Sequence, residues 1–381
     1  VNGKSYPVYV NEFWTSQQRQ ALSLHEVTYR ACFKPQLPRF FVNLFTKEGD
    51  VVYDPFSGRG TTVIEAGLMN RNIVSNDVNP LSSILTRPRF FIPTIEEVRK
   101  RLKEIPINYK EKADIDLSMF YHSKTEAEIV SLKKYSLAKK EKNKNDNTDD
   151  WIVMVATNRL TGHSPGFFSV YTLPPNQAVS QESQKKINKK RNQKPEYRNI
   201  YEIIIKKTRS LLKNLSEDQL SNLRSIGARA IFEIRDARNT KNIQRNSTQL
   251  TVTSPPFLDI VQYASDNWLR CWFNGIDAQE IEKKITQSRK IEDWSGVMGD
   301  VFKELYRITK PGGWVAFEVG EVRGGKIKLE EYVIPLGVSA GFKCEGIMIN
   351  EQVFTKTSNI WGIHNNTKGT NTNRVVLFNK Q

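Results

Sequence analysis

Ser254-Pro255-Pro256-Phe257 is the stretch of this chain best suited to chemistry on a flat nitrogenous ring. Two consecutive prolines fix the backbone and remove two amide donors, so carbonyl acceptors dominate locally. Ser254 adds a hydroxyl that accepts or donates, and Phe257 adds a flat apolar face for stacking. This combination suits an exocyclic aromatic amine. Acceptors on Ser254 and on the Pro255 carbonyl would orient the amino hydrogens and aim the nitrogen lone pair at an electrophile. Alone, the tetrapeptide also reads as an ordinary loop.

A second stretch changes that balance. Val51-Val52-Tyr53 reads as a short buried strand and is followed by Asp54-Pro55-Phe56-Ser57-Gly58-Arg59-Gly60-Thr61-Thr62, with a helix from Thr61 onward. Glycines at 58 and 60 let the backbone turn tightly and approach a ligand. Strand, glycine turn and helix make the first unit of an open α/β nucleotide site, with the ligand outside the strand's carboxyl end. Asn72–Asp77 reads as the next strand. Asp77 stands at about the spacing where an acid meets ribose hydroxyls in such folds; otherwise it is a turn aspartate at a strand end. Lys34 and Pro35, just upstream, are candidates either for lining the pocket or for packing. His25 reads as structural.

The elements that must position these residues alternate. An apolar helical face over Phe40–Phe45 precedes the first strand, and Asn79-Pro80 opens a helix after the second. Ala230–Asp236, Leu250–Thr253 and Trp314–Val319 read as further strands. Phe302–Ile308 reads as a helix closed by Lys310-Pro311-Gly312-Gly313, and Tyr332–Ala340 as another helix. Strands around Cys344–Ile349 and Arg374–Phe378 follow. The predicted fold class is α/β, with a doubly wound, mostly parallel sheet and an antiparallel final pair. Residues 1–95 and 226–381 form its two parts. Between them, 96–225 is a large basic insertion, too long for a loop and expected to be a separate module.

The 381 residues carry a formal net charge of +16, and 38% are hydrophobic. That supports a core and excludes a wholly disordered chain. The charge excess points to a polyanionic partner, nucleic acid first. Much of it lies in the insertion, at Lys133–Lys144 and Lys185–Arg209, interleaved with Phe167, Phe168, Tyr171 and Tyr197. Such a run is either a solvated face or a surface for phosphate contact and base stacking. Cys32, Cys271 and Cys344 make neither a metal-ligand pattern nor a disulfide framework, and no apolar run is long enough to span a bilayer. A cytoplasmic setting is the default expectation.

With both motifs in view, the chain resembles the amino-methylating DNA methyltransferases that use S-adenosylmethionine, the cytosine-N4 and adenine-N6 group. The resemblance covers roughly residues 25–95 and 228–381. It implies a Rossmann-like methyltransferase core with S-adenosylmethionine as cofactor and DNA as substrate. It also implies a restriction endonuclease as a candidate partner. Phe56, Gly58 and Gly60 would shape the methionine pocket, together with Thr61, Thr62, Lys34 and Pro35, and Asp54 would lie near the methionine amino group. Asp77 would hold the ribose and Asp236 the adenine amino group. Ser254, Pro255, Pro256 and Phe257 would receive the target base. A serine at the first motif position leans toward cytosine N4, whereas aspartate or asparagine leans toward adenine N6. Two departures stand out: Phe257 replaces a frequent tyrosine, and the insertion precedes the Asp236 strand. None of the three cysteines follows a proline, which disfavours cytosine-C5 chemistry. The rivals are adenine N6, an RNA methyltransferase acting on guanine N2, a nicotinamide-dependent dehydrogenase, and a nucleic-acid-binding protein without activity.

Overall fold

The fold was analysed in a computed structural model, which describes residues 1, 3–14, 21–30, 32–174, 177–256, 263–285, 290–322, 327–351 and 372–381. In chain order, β1 (Val8–Asn11) and α1 (Gln36–Phe45) lead into β2 (Val51–Asp54), α2 (Thr61–Leu68), β3 (Asn72–Asn76) and α3 (Pro80–Thr86). Six helices follow: α4 (Ile95–Glu104), α5 (Ser123–Glu141), α6 (Asn147–Arg159), α7 (Gln181–Arg191), α8 (Ile200–Leu212) and α9 (Glu217–Gly227). The chain then returns through β4 (Ile231–Glu233), β5 (Thr248–Thr253), α10 (Tyr263–Phe273), α11 (Ala278–Lys284), α12 (Ile291–Ile308) and β6 (Thr309–Val319). A small β7 (Glu321–Val322) and β8 (Ile327–Lys328) pair precedes α13 (Glu330–Ser339), β9 (Lys343–Glu351) and β10 (Thr372–Asn379).

The eight-stranded sheet has the order β1-β9-β10-β6-β5-β2-β3-β4. Its pairings are parallel except those of β10, which runs antiparallel to both β6 and β9. This is the expected doubly wound Rossmann-like sheet with its antiparallel final pair. From β2 the chain winds outward through β3 to β4, then crosses back to β5 on the other side of β2. The strand order therefore reverses between β2 and β5, and ligands of open α/β sheets bind outside the carboxyl ends of the strands at such a switch point.

Side chains alternate across the sheet as strand geometry requires. Val52, Ala316, Val375 and Leu377 enter one apolar cluster, whereas Tyr53, Val315, Phe317, Val376 and Phe378 enter another under α12 and α13. The insertion joins the first of these. Val98, Leu102, Trp151, Ile152, Ile204 and Leu223 share one cluster with Val52, Val63 and Leu250. Residues 96–225 are thus a set of helices that shares the core's apolar cluster, with α9 packed on α2, not the separate module expected. The insertion does precede β4, as read. Its start is set locally, by a capping box in which Thr94 and Glu97 satisfy each other's backbone amides.

Three other expectations change. Lys310-Pro311-Gly312-Gly313 does not end a helix but bulges within β6, where Thr309 and Trp314 pair with Thr248 and Leu250. The bulge is held by hydrogen bonds of Gly312 and Gly313 with Lys380 near the chain's end. Helix α12 starts at Ile291, well before the apolar stretch that signalled it. β1 carried no periodic signal because all four of its residues are exposed at the sheet edge.

Candidate active site at the switch point

The carboxyl ends of β2 and β5 bring the two motifs together. Thr253, the last residue of β5, donates its hydroxyl to Asp54 Oδ1 at 2.6 Å, closing a sequence gap of 199 residues. A cleft of about 910 Å³, including its open mouth, lies above this contact. It is lined by Asp54, Phe56, Gly58 and Thr61 from the glycine turn, and by Asp77, Asp236, Ser254 and Pro256.

The turn holds its own shape. The Phe56 amide donates to Asp54 Oδ1 at 3.1 Å, and the Ser57 hydroxyl donates to the Asp54 carbonyl at 2.9 Å. Gly58, at φ +51°, donates its amide to Asp77 Oδ2 at 2.9 Å. Gly60 has another reason to be glycine. Its φ is +75°, and a Cβ there would stand 2.4 Å from the Thr86 side chain. Gly60→Ala should therefore destabilise the fold by about 1–3 kcal/mol, and an unchanged melting temperature would contradict this packing.

Asp54 is buried and Asp77 half-buried, and among the described residues neither forms an ion pair. Burial pushes Asp54 up to about 7 against the opposing hydrogen bonds from Thr253 and Phe56. It pushes Asp77 up to about 6 against the amides of Asn79 and Gly58. Two desolvated carboxylates facing one cleft favour a cationic ligand, which would restore their charged forms. Arg30 and Arg235 also line the cleft, but they pair with Asp266 and Glu233 at 2.6 and 2.7 Å. Asp236 already receives Arg238 Nη2 at 2.5 Å, which holds its carboxyl below the usual range. Any contact it makes to a ligand is shared with that guanidinium.

At the other motif, Ser254 Oγ is buried and has no hydrogen-bond partner among the described residues. A buried hydroxyl left in this state costs about 1–3 kcal/mol, so a hydroxyl facing a ligand cleft is explained by a ligand that satisfies it. The turn beside it is anchored by Trp294 of α12, whose indole donates to the Pro256 carbonyl at 3.0 Å. Pro255 is not among the residues that line the cleft. Phe257 lies outside the described residues.

Four of the expected cofactor residues, Lys34, Pro35, Gly60 and Thr62, do not line the cleft. Lys34 and Pro35 line a different cavity, and Cys32 and Phe33 take their place at the cleft. Thr62 turns its hydroxyl to the Val252 carbonyl at 3.0 Å, stitching α2 to β5. His25 is structural, as read: Nε2 meets Glu65 Oε1 at 2.6 Å. Phe167 and Phe168 are buried, so their rings are closed to base stacking. Tyr29, Asn79, Val297, Met298 and Val301 line the cleft without having been singled out. The last three come from α12, whose apolar spacing signals burial but not what it is buried against. Cys32 is no activated nucleophile either, because burial pushes its thiol up.

Residues 3–82, which include the whole glycine turn, match the family model of the N6/N4-type DNA methylases. The match runs from before β1 into the start of α3. The chain is also 27% identical over 97 residues to the type II methyltransferase M.MjaII of Methanocaldococcus jannaschii, covering 25% of this chain and 18% of that protein. It is 32% identical over 93 residues to the type II methyltransferase M.BsoBI of Geobacillus stearothermophilus, covering 23% and 18%. A tRNA (guanine(10)-N2)-dimethyltransferase of Methanocaldococcus jannaschii is 40% identical over 63 residues, covering 16% and 18%. The chain thus spans under a fifth of the length of each of these relatives. No helix among the described residues of this DNA methylase relative is long and apolar enough to cross a membrane.

Proposed function

We propose that this protein transfers a methyl group from S-adenosylmethionine to the exocyclic N4 amine of cytosine in DNA. The observation that carries the reading is the unpartnered, buried Ser254 hydroxyl, set one residue beyond the Asp54–Thr253 contact in a cleft with two uncompensated carboxylates. S-adenosylmethionine fits that cleft by charge, being a cation opposite these acids. When bound, it supplies an electrophilic methyl group on a sulfonium. Asp77 would accept from the ribose hydroxyls, Asp54 would face the methionine amine, and Phe56 and Thr61 would close the methionine pocket.

Ser254 would accept a hydrogen bond from the cytosine amine, and the Pro255 carbonyl a second, directing the nitrogen lone pair toward the donor. The target base must leave the duplex stack, at a cost of a few kcal/mol. Positioning and preorganised acceptors supply the catalysis, with no covalent enzyme intermediate. Residues 96–225 are the part assigned to the nucleic acid, with the exposed Lys185, Lys186, Lys189 and Lys190 of α7 as phosphate contacts. A restriction endonuclease partner and a cytoplasmic setting belong to the same proposal.

A second reading, methylation of guanine N2 in RNA, is favoured by the short match to the tRNA dimethyltransferase. Incubation with labelled S-adenosylmethionine and either DNA or RNA, followed by nucleoside mass spectrometry, separates the readings. N4-methylcytosine in DNA is expected. Label only on adenine N6 or only in RNA would overturn the cytosine assignment.

A further inference from the structure

A second cavity shares no lining residue with the active-site cleft. It lies between the 21–28 segment, the start of α1, the Arg59 side chain and the insertion helices α6 and α8. Four basic side chains line it, Lys34, Arg59, Arg159 and Lys207, against one carboxylate, Glu26. Arg159 and Lys207 are each only 8% exposed.

Among the described residues, Lys207 alone of the four is neutralised, by Glu26 at 2.9 Å. Arg59 donates to the backbone carbonyls of His25, Val27 and Phe33. Arg159 donates to Asn158 and lies over the Phe167 ring at 3.9 Å. Lys34 is held below its usual basicity by burial and by Arg59. Among the described residues, no carboxylate pairs with Lys34, Arg59 or Arg159. The nearby Glu65 is already spent on His25 and Arg39, at 2.6 and 2.7 Å. Of Lys34, Arg59 and Arg159, the last is buried and the other two are half-buried, and a buried cation left uncompensated costs several kcal/mol unless a counter-charge is present. The N-terminus of α1, which has no acidic residue in its first turn, opens on the same cavity and adds its positive end.

We propose that this cavity is an oxyanion site that takes a phosphate group, supplied either by a nucleic-acid backbone or by free phosphate. Lys34 and Arg159 contribute the unneutralised charge, and Arg59 links the site physically to the glycine turn. Only the nucleic-acid source rests on the proposed methyltransferase function; the anion chemistry does not.

The test uses the full chain and its Lys34→Gln and Arg159→Lys variants, with S-adenosylmethionine binding and melting temperature as fold controls. Inorganic phosphate is titrated calorimetrically, and binding of a short DNA duplex is followed against salt. Lys34→Gln should weaken phosphate binding about tenfold, the worth of one charge-assisted hydrogen bond. Arg159→Lys should weaken it too, because an ammonium cannot reproduce the planar guanidinium fork. If a nucleic-acid phosphate is the occupant, Lys34→Gln should also reduce the salt slope of DNA binding by about one unit. An unchanged slope with lost phosphate binding assigns free phosphate as the source. The proposal is overturned if the wild-type protein does not bind phosphate and its salt slope matches that of Lys34→Gln. It is equally overturned if phosphate binds all three proteins alike.

Discussion

Replacing Ser254 with alanine should lower kcat for methyl transfer about 100-fold, the cost of removing one preorganised group that orients the reacting centre. S-adenosylmethionine affinity should stay within about twofold, because this hydroxyl is assigned to the amine and not to the cofactor. The variant should also be slightly more stable than the wild type, since it deletes a buried oxygen that has no partner among the described residues. Single-turnover rates, cofactor titration and a melting curve read these three quantities separately. A Ser254→Ala enzyme with an unaltered single-turnover rate would remove the amine-orienting role. Loss of stability would show instead that the hydroxyl is structural.

Asp77→Asn should raise the S-adenosylmethionine Kd about 10- to 100-fold, because a charge-assisted hydrogen bond contributes about 1.5–3 kcal/mol. The same residue predicts a pH dependence whose sign follows from its environment. Burial raises Asp77 to about 6, so its carboxylate becomes neutral as pH falls through that value. The neutral acid is a poorer acceptor for sugar hydroxyls and no longer attracts the cationic ligand. Cofactor affinity should therefore decline as pH drops below about 6. Asp54, raised to about 7, adds an earlier decline of the same sign. In Asp77→Asn the lower step should disappear and the Asp54 step should remain. Calorimetric titrations from pH 5 to 8 distinguish the two steps. A wild-type affinity that is flat across this range would mean that neither carboxylate faces the ligand's positive charge.

Some of the site is legible from short-range spacing. Asp54, the glycine turn, the first helical turn and Asp77 follow from strand, turn and helix within one βαβ segment. In such a segment the backbone geometry of each residue is set by its immediate neighbours. Gly58 shows the limit of that reading. Its tight turn was legible, but the amide bond to Asp77 that makes it useful depends on how β3 lies beside β2. Lys34 and Pro35 were misplaced because proximity along the chain says nothing about which side of a loop faces which cavity. Phe167 and Phe168 were read as candidates for base stacking because they are interleaved with basic residues, yet the insertion folds them inward.

The insertion was legible as long and basic, but not as part of the same core. Its helices carry enough apolar surface to form a module or to join the existing core, and only the cluster that Trp151 and Leu223 share with Val52 and Leu250 decides between these. By itself, the sequence determined the α/β class, the two motifs and the residue types they supply, because these depend on local periodicity and turn chemistry. Only the tertiary structure decided that Thr253 meets Asp54, that Ser254 keeps a buried hydroxyl without a partner, and that Trp294 anchors the proline turn. The physical reason is the crossover at the switch point. Long-range contacts arise from how strands pair and helices pack across it, and no spacing within either motif encodes that geometry.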